Sequence, residues 1–143
     1  MLRNLRRHEP GVGLALAAAP GFGWLLLFFG GALGYGLLEL GWRGYTHWSM
    51  LLAGGLCFCA LNYLDIQLPD CGDWHKAWLG ALIITTVELI CGLLGNCWLG
   101  LAIWDYSRLP CNFYGQICLP FFLIWLGLAR LLLYLVRFLR PLI

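Results

Sequence analysis

Four apolar runs, separated by short polar stretches, set the pattern of the chain. They extend from Gly21 to about Leu40, from about Trp48 to Leu64, from about Trp78 to Trp104, and from near Phe113 to Arg130. A bilayer's hydrocarbon core takes roughly 20 apolar residues as a helix, so each run predicts one membrane-spanning helix. Strands are a poor alternative, because the runs far exceed the roughly 9–11 residues of a barrel strand and do not alternate. The first run meets a charge only at Glu39, the second has none, the third carries Glu88, and the fourth is uncharged until Arg130. The pattern predicts an all-α integral membrane protein, a four-transmembrane-helix bundle over residues 21–136. A basic segment, 1–20, precedes it and a basic end, 137–143, closes it.

Composition removes the competing classes. Hydrophobic residues make up 62% and charged residues 11% of the 143-residue chain, against roughly 45–50% and about 25% in soluble proteins. Mean hydropathy is +0.80. Nine Lys/Arg and seven Asp/Glu cannot furnish the polar surface of a soluble fold. With a net charge of +2 and no extended basic face, nucleic-acid binding and disorder are excluded as well.

Gly11–Ala19 is apolar but too short to span, and Pro20 follows it. It predicts a short interfacial helix or an extension of the first span kinked at Pro20. A cleaved signal is the rival, given the Arg-rich start and the small residues Ala17–Ala19. Four spans place Arg3, Arg6, Arg7, Lys76, Arg130, Arg137 and Arg140 on one side, against Arg43 and Arg108 on the other. By the positive-inside rule both termini face the cytoplasm, in one orientation rather than two. Trp48, Trp78 and Trp104 fall at predicted span ends, where indoles favour the headgroup level. The seven cysteines include no C-x-x-C. Cys57, Cys59, Cys91, Cys97 and Cys118 fall within spans and read as packing residues, while Cys71 and Cys111 fall in loops on opposite sides.

Polar residues inside the runs carry the candidate chemistry. A charge near the bilayer centre costs at least roughly 2.5–3.5 kcal/mol, so Glu88 needs a reason. Positions 85, 88, 92 and 96 share one helical face, reading Thr, Glu, Gly, Asn. Gly92, Gly95 and Gly100 would admit a neighbouring helix closely. Glu88 reads either as a proton or cation site or as a protonated, hydrogen-bonded group holding helices together. Glu39, Arg43 and His47 are spaced by four and would stack on a continuous helix, although Gly41 and Gly44 weaken helix there. The Trp42–Trp48 turn reads as an outer gate or as an interfacial anchor. In the connection Trp104–Asn112, Asp105 or Ser107 would satisfy the end of the third helix. Pro110 breaks helix there, and Asn112 is placed to cap the fourth span. Gln116 then lies inside that span. The two loops share a side, so they would either outline a vestibule above Glu88 and Asn96 or simply cap helices. Asp65–Lys76 reads as a solvated loop with Asp73 capping the third helix, rather than as a metal site. Arg130, Tyr134, Arg137 and Pro141 share a face that would meet anionic lipid. No catalytic motif, metal set, cofactor signature or P-loop is present in the sequence.

Three groups of residues resemble the signatures of a family. The first is Leu38-Glu39 with Trp42-Arg43-Gly44-Tyr45-Thr46-His47-Trp48-Ser49-Met50, Gly54-Gly55 and Cys57-Phe58. The second is Gly80-Ala81-Leu82-Ile83-Ile84-Thr85 with Glu88 and Gly92. The third is Trp104-Asp105-Tyr106-Ser107, Pro110, Asn112 and Gly115-Gln116-Ile117-Cys118-Leu119-Pro120-Phe121. From about Gly30 to Trp125 the chain resembles the small membrane proteins, common in Firmicutes, labelled ABC-transporter permease type IV or CmpB-like. The resemblance implies a multi-span protein of the bacterial inner membrane, of bacterial or phage origin, and membrane transport without a stated substrate. The label raises a partner ATPase, which the sequence does not establish, since the cytoplasmic loop holds no coupling-helix motif.

The leading expectation is a small transporter or channel for an unknown ion or solute, set among membrane lipids. Glu88 would be central, with Asn96 and Gln116 as hydrogen-bonding neighbours. Glu39, Arg43, His47, Asp105, Tyr106, Arg108 and Asn112 complete the polar network and its outer entrance. A bundle this small predicts a homo-oligomer. One alternative is a non-transporting subunit or scaffold whose polar network only specifies packing. The other is an intramembrane enzyme acting on a lipid-like substrate, with Asp105, His47 and Glu39 as acid/base groups.

Overall fold

The computed structural model describes residues 21–142, so the expectations for 1–20, including Gly11–Ala19 and the N-terminal arginines, lie outside the described residues. Among the described residues four helices are long and apolar enough to cross a membrane. Helix α1, Phe22–Arg43, runs through Gly41 and stops at Gly44. The left-handed conformation of Gly44 (φ 76°) turns its N–H onto the Leu40 carbonyl. Helix α2, Trp48–Gln67, is capped by His47, whose ring bonds Ser49, and Pro69 follows its end. Helix α3, Asp73–Gly92, continues into a π-helical turn, Leu93–Trp98. Helix α4 is Leu119–Leu139, with Pro120 in its first turn, where the missing N–H is no loss. A 3₁₀ turn, Arg140–Leu142, follows.

The span boundaries differ from the sequence expectation on both sides of the last connection. The third span begins at Asp73 and ends at Trp98, and the fourth begins at Leu119 rather than near Phe113. Between them, residues 99–118 fold back onto the bundle and end in a two-stranded hairpin. Its strands are β1, Asn112–Phe113, and β2, Ile117–Cys118, with Asn112 opposite Cys118 and Phe113 opposite Ile117. Asn112 therefore does not cap α4. Its side chain donates to the Ser107 and Leu109 carbonyls and accepts from the Gly115 N–H. Gln116 lies in the hairpin, outside the span. Three non-glycine residues of this segment, Ala102, Cys111 and Tyr114, adopt left-handed φ of 47°, 53° and 50°.

Helix α1 packs on α2, α2 also meets α3 and α4, and α3 packs on α4. The α1–α2 approach is backbone on backbone. A Cβ on Gly31 would come within 2.7 Å of the Gly54 carbonyl, and one on Gly54 within 2.8 Å of the Gly31 carbonyl. Small residues at such a crossing let helices gain dispersion contact where lipid supplies no hydrophobic drive. The remaining core centres on Leu61, Ala77, Ala81, Ala129 and Leu133. Leu25, Phe29, Leu33 and Leu37, four residues apart along α1, are exposed large apolar side chains, as a lipid-facing surface requires.

Candidate functional site

Glu88 is 5% exposed and lies near the middle of the Asp73–Trp98 span. Both of its oxygens accept from neutral donors. The Tyr106 hydroxyl reaches Oε1 at 2.9 Å, and the Trp125 indole N–H reaches Oε2 at 2.8 Å. Tyr106 stacks on Phe121 with centroids 4.4 Å apart, and Phe121 in turn meets Trp125 at 5.8 Å. Aromatic packing thus fixes both donors. One turn earlier, the buried Thr85 hydroxyl has no hydrogen-bond partner among the described residues.

Above Glu88, the fold-back segment is sewn to the end of α3. Asn96 donates to the Trp104 carbonyl at 2.9 Å and to Gln116 Oε1 at 2.8 Å, and it accepts the Ile103 N–H at 2.6 Å. Trp104 donates its indole N–H to the Gln116 carbonyl at 2.9 Å, and Gln116 donates to the Tyr114 carbonyl at 2.9 Å. Gly92 makes room: a Cβ there would meet Gln116 Oε1 at 2.5 Å. The close approach read from Gly92 and Gly95 is therefore filled by the hairpin and by Ile103, not by a neighbouring helix. Non-helical backbone is stable at such depth only when protein surrounds it, and Ile103 is buried among Met50, Ala53, Val87 and Cys91.

Glu39 pairs with Arg43 and accepts from the Thr46 hydroxyl, while Arg43 donates to the Ile103 carbonyl at 2.7 Å. The α1–α2 turn and the fold-back segment thus meet. They meet as packed surfaces, with Tyr106 reaching down from them to Glu88. His47 is occupied with Ser49. Asp105 is exposed and bonds the Ser107 N–H and hydroxyl, which hold its carboxyl below the usual range. It closes a turn rather than the end of α3. Arg108 is exposed on the same turn. Glu39, His47 and Asp105 each bond to separate partners.

A second charged cluster lies at the opposite end of the bundle. Asp65, 5% exposed, accepts from Lys76 at 2.8 Å, Arg137 at 2.6 Å and Arg140 at 2.9 Å. Arg140 also reaches Asn62, and Asp73 pairs with Arg137 at 2.8 Å and Arg130 at 3.1 Å. This corrects three expectations. Lys76 is buried in the first turn of α3 rather than placed in a loop, Asp73 makes no cap bond, and the C-terminal arginines turn inward to carboxylates. Sequence reading missed Asp65 and Trp125. Trp125 carried a signal, since it sits inside the fourth run, away from the headgroup belt, and a buried indole N–H needs an acceptor. Among the described residues, no group of three or more His, Cys, Asp or Glu is placed to hold a metal ion.

The three signatures converge on this site: Glu39 to Thr46, Glu88 with Gly92, and Trp104 to Phe121. A family model matches residues 11–143, beyond the stretch that carries the resemblance at both ends. The chain belongs to the family described as Putative ABC-transporter type IV. Its membership and its four apolar helices make it a multi-pass membrane protein. No curated protein and no solved structure matches the chain.

Proposed function

We propose that the protein is a small transporter or channel in which Glu88 takes up a proton, an ion or a cationic solute. One observation carries this reading: among the described residues, no cation pairs with Glu88. Carboxylates in membrane spans usually pair with a cation or serve a pathway. Here the described cations near acids are committed elsewhere, Arg43 to Glu39, Lys76, Arg137 and Arg140 to Asp65, and Arg130 to Asp73. Glu88 instead has only a phenol and an indole, and it lines a cavity within the bundle. A mobile positive species would complete the site.

In this reading the basic end, with Lys76, Arg130, Arg137 and Arg140, faces the cytoplasm of a bacterial inner membrane, and two or more copies assemble. An ATPase partner is raised by the family description alone. The test is flux in proteoliposomes. Glu88→Gln keeps the size and one acceptor, so it should assemble normally and lose ion- or proton-dependent flux by about tenfold or more. Unchanged flux would refute the proposal.

The scaffold reading draws on the Asn96–Gln116–Trp104 network, whose hydrogen bonds are all spent on holding residues 99–118 in place. It predicts that Glu88→Gln lowers stability in detergent and that no flux depends on the residue.

A further inference from the structure

The cavity beside Glu88 is lined by all four helices and has a volume of about 280 Å³. That is at the small end of the roughly 300–1,000 Å³ of small-molecule sites. Exposed residues form its mouth: Gly30, Gly34 and Leu38 from α1, and Leu131 and Leu135 from α4. The mouth is apolar throughout, and the α1 and α4 backbones stand apart. Deeper in, Tyr35 and Trp125 line the cavity with ring centroids 6.2 Å apart, beside Glu88. Among the described lining residues Glu88 is the sole acid, and none is Lys, Arg or His.

An apolar cavity with a carboxylate and two aromatic rings has a defined chemical preference. Aromatic rings favour organic cations, and quaternary ammonium groups most characteristically. A bare inorganic cation would exchange its hydration shell for one carboxylate and hydrocarbon, a poor substitute. An ammonium bearing apolar groups is weakly hydrated and brings surface that the cavity walls can bury. We infer that the cavity binds a small hydrophobic amine or quaternary ammonium, admitted from the lipid side between α1 and α4, with its cationic centre set against Glu88, Tyr35 and Trp125. This names the cargo class of the Glu88 site and rests on the transport reading.

The glycines at the mouth give a test that leaves Glu88 intact. A Cβ on Gly30 or Gly34 meets nothing within 4 Å, so added bulk occupies the mouth without disturbing packing. Radiolabelled benzyltrimethylammonium is titrated against the full chain in phospholipid nanodiscs. Binding should be saturable and should resist excess K⁺. The neutral isostere neopentylbenzene should compete about tenfold or more less well. Glu88→Gln and Gly34→Leu should each weaken binding about tenfold or more, while Gly34→Ala stays within about twofold. Gly30→Leu provides the second plug should Gly34→Leu misfold.

Equal competition by the neutral isostere would overturn the inference, because a lipid chain or a second copy would then suit the cavity as well. Wild-type binding by both leucine variants would also overturn it. If benzyltrimethylammonium fails to bind while ion flux still depends on Glu88, the inference falls and the transport reading stands. If flux ignores Glu88→Gln, the transport reading itself falls.

Discussion

Trp125 of α4 donates its indole N–H to Glu88 of α3 across a sequence separation of 37 residues, at 2.8 Å. The bond joins the two helices at the depth where a polar group is hardest to accommodate. It also aims the carboxyl group at the cavity wall that Trp125 shares.

Trp125→Phe keeps most of the ring volume and deletes the donor, leaving Glu88 Oε2 without that partner. The loss should be about 1–3 kcal/mol. Tyr106→Phe removes the bond to Oε1 with a loss of the same order. Because both act on one carboxyl group, the double variant should depart from additivity. Unfolding in mixed micelles, followed by near-ultraviolet circular dichroism, measures all three.

Asp65 is the hub of the basic end. Asp65→Ala leaves Lys76, itself 3% exposed, with no carboxylate, while Arg137 keeps only Asp73 and Arg140 only Asn62. A stability loss of about 3–5 kcal/mol is expected, the usual cost of breaking a buried pair from one side. Lys76→Met should be far milder, since Asp65 keeps Arg137 and Arg140. Comparable losses in the two variants would contradict this asymmetry.

The α1–α2 contact makes its own prediction. Gly31→Ala forces a methyl against the Gly54 carbonyl and the Phe58 side chain, so α1 must shift, at about 1–3 kcal/mol. Gly30→Ala, one residue away on an open face, should be close to neutral. Cysteine cross-linking between the two helices, alongside unfolding, separates a shifted α1 from a merely weakened one.

Asp105 sets a pH dependence in the exposed turn. Ser107 bonds favour the ionised carboxylate and lower its pKa, so the folded turn favours loss of the proton. The ordering is fully present above the ordinary carboxylate range and is lost as pH falls through the lowered value. The Ser107 amide proton shift, followed by NMR, should move upfield over that interval in the wild type and stay flat in Asp105→Ala.

Hydrocarbon thickness fixes how long a spanning helix must be, which is why four helices were legible in the pattern of the chain. Glu88 and Asn96 were legible by cost, since each polar group had to find protein, whereas Gln116 finds its partners from the hairpin and not from inside a span. The ends of the last two spans were not. Leu99-Gly100-Leu101-Ala102-Ile103-Trp104 is as apolar as any helix. Hydropathy cannot show that the backbone leaves the helix after the π turn and that Ile103 is buried from above. Asp65 followed the second run like an ordinary loop residue, because its partners Arg137 and Arg140 lie 72 and 75 residues further on. Hydrophobic patterning reports on neighbours along a helix and is blind to ion pairs formed at that range.

Ala102, Cys111 and Tyr114 put the fold-back segment at a conformational cost. A side-chain-bearing residue in a left-handed conformation sits about 1–2 kcal/mol above its relaxed state, and all three belong to the stretch that carries Tyr106 onto Glu88. That cost is offset by the contacts that seat the segment, Tyr106 on Glu88, Trp104 on Gln116 and Asn96 on Ile103.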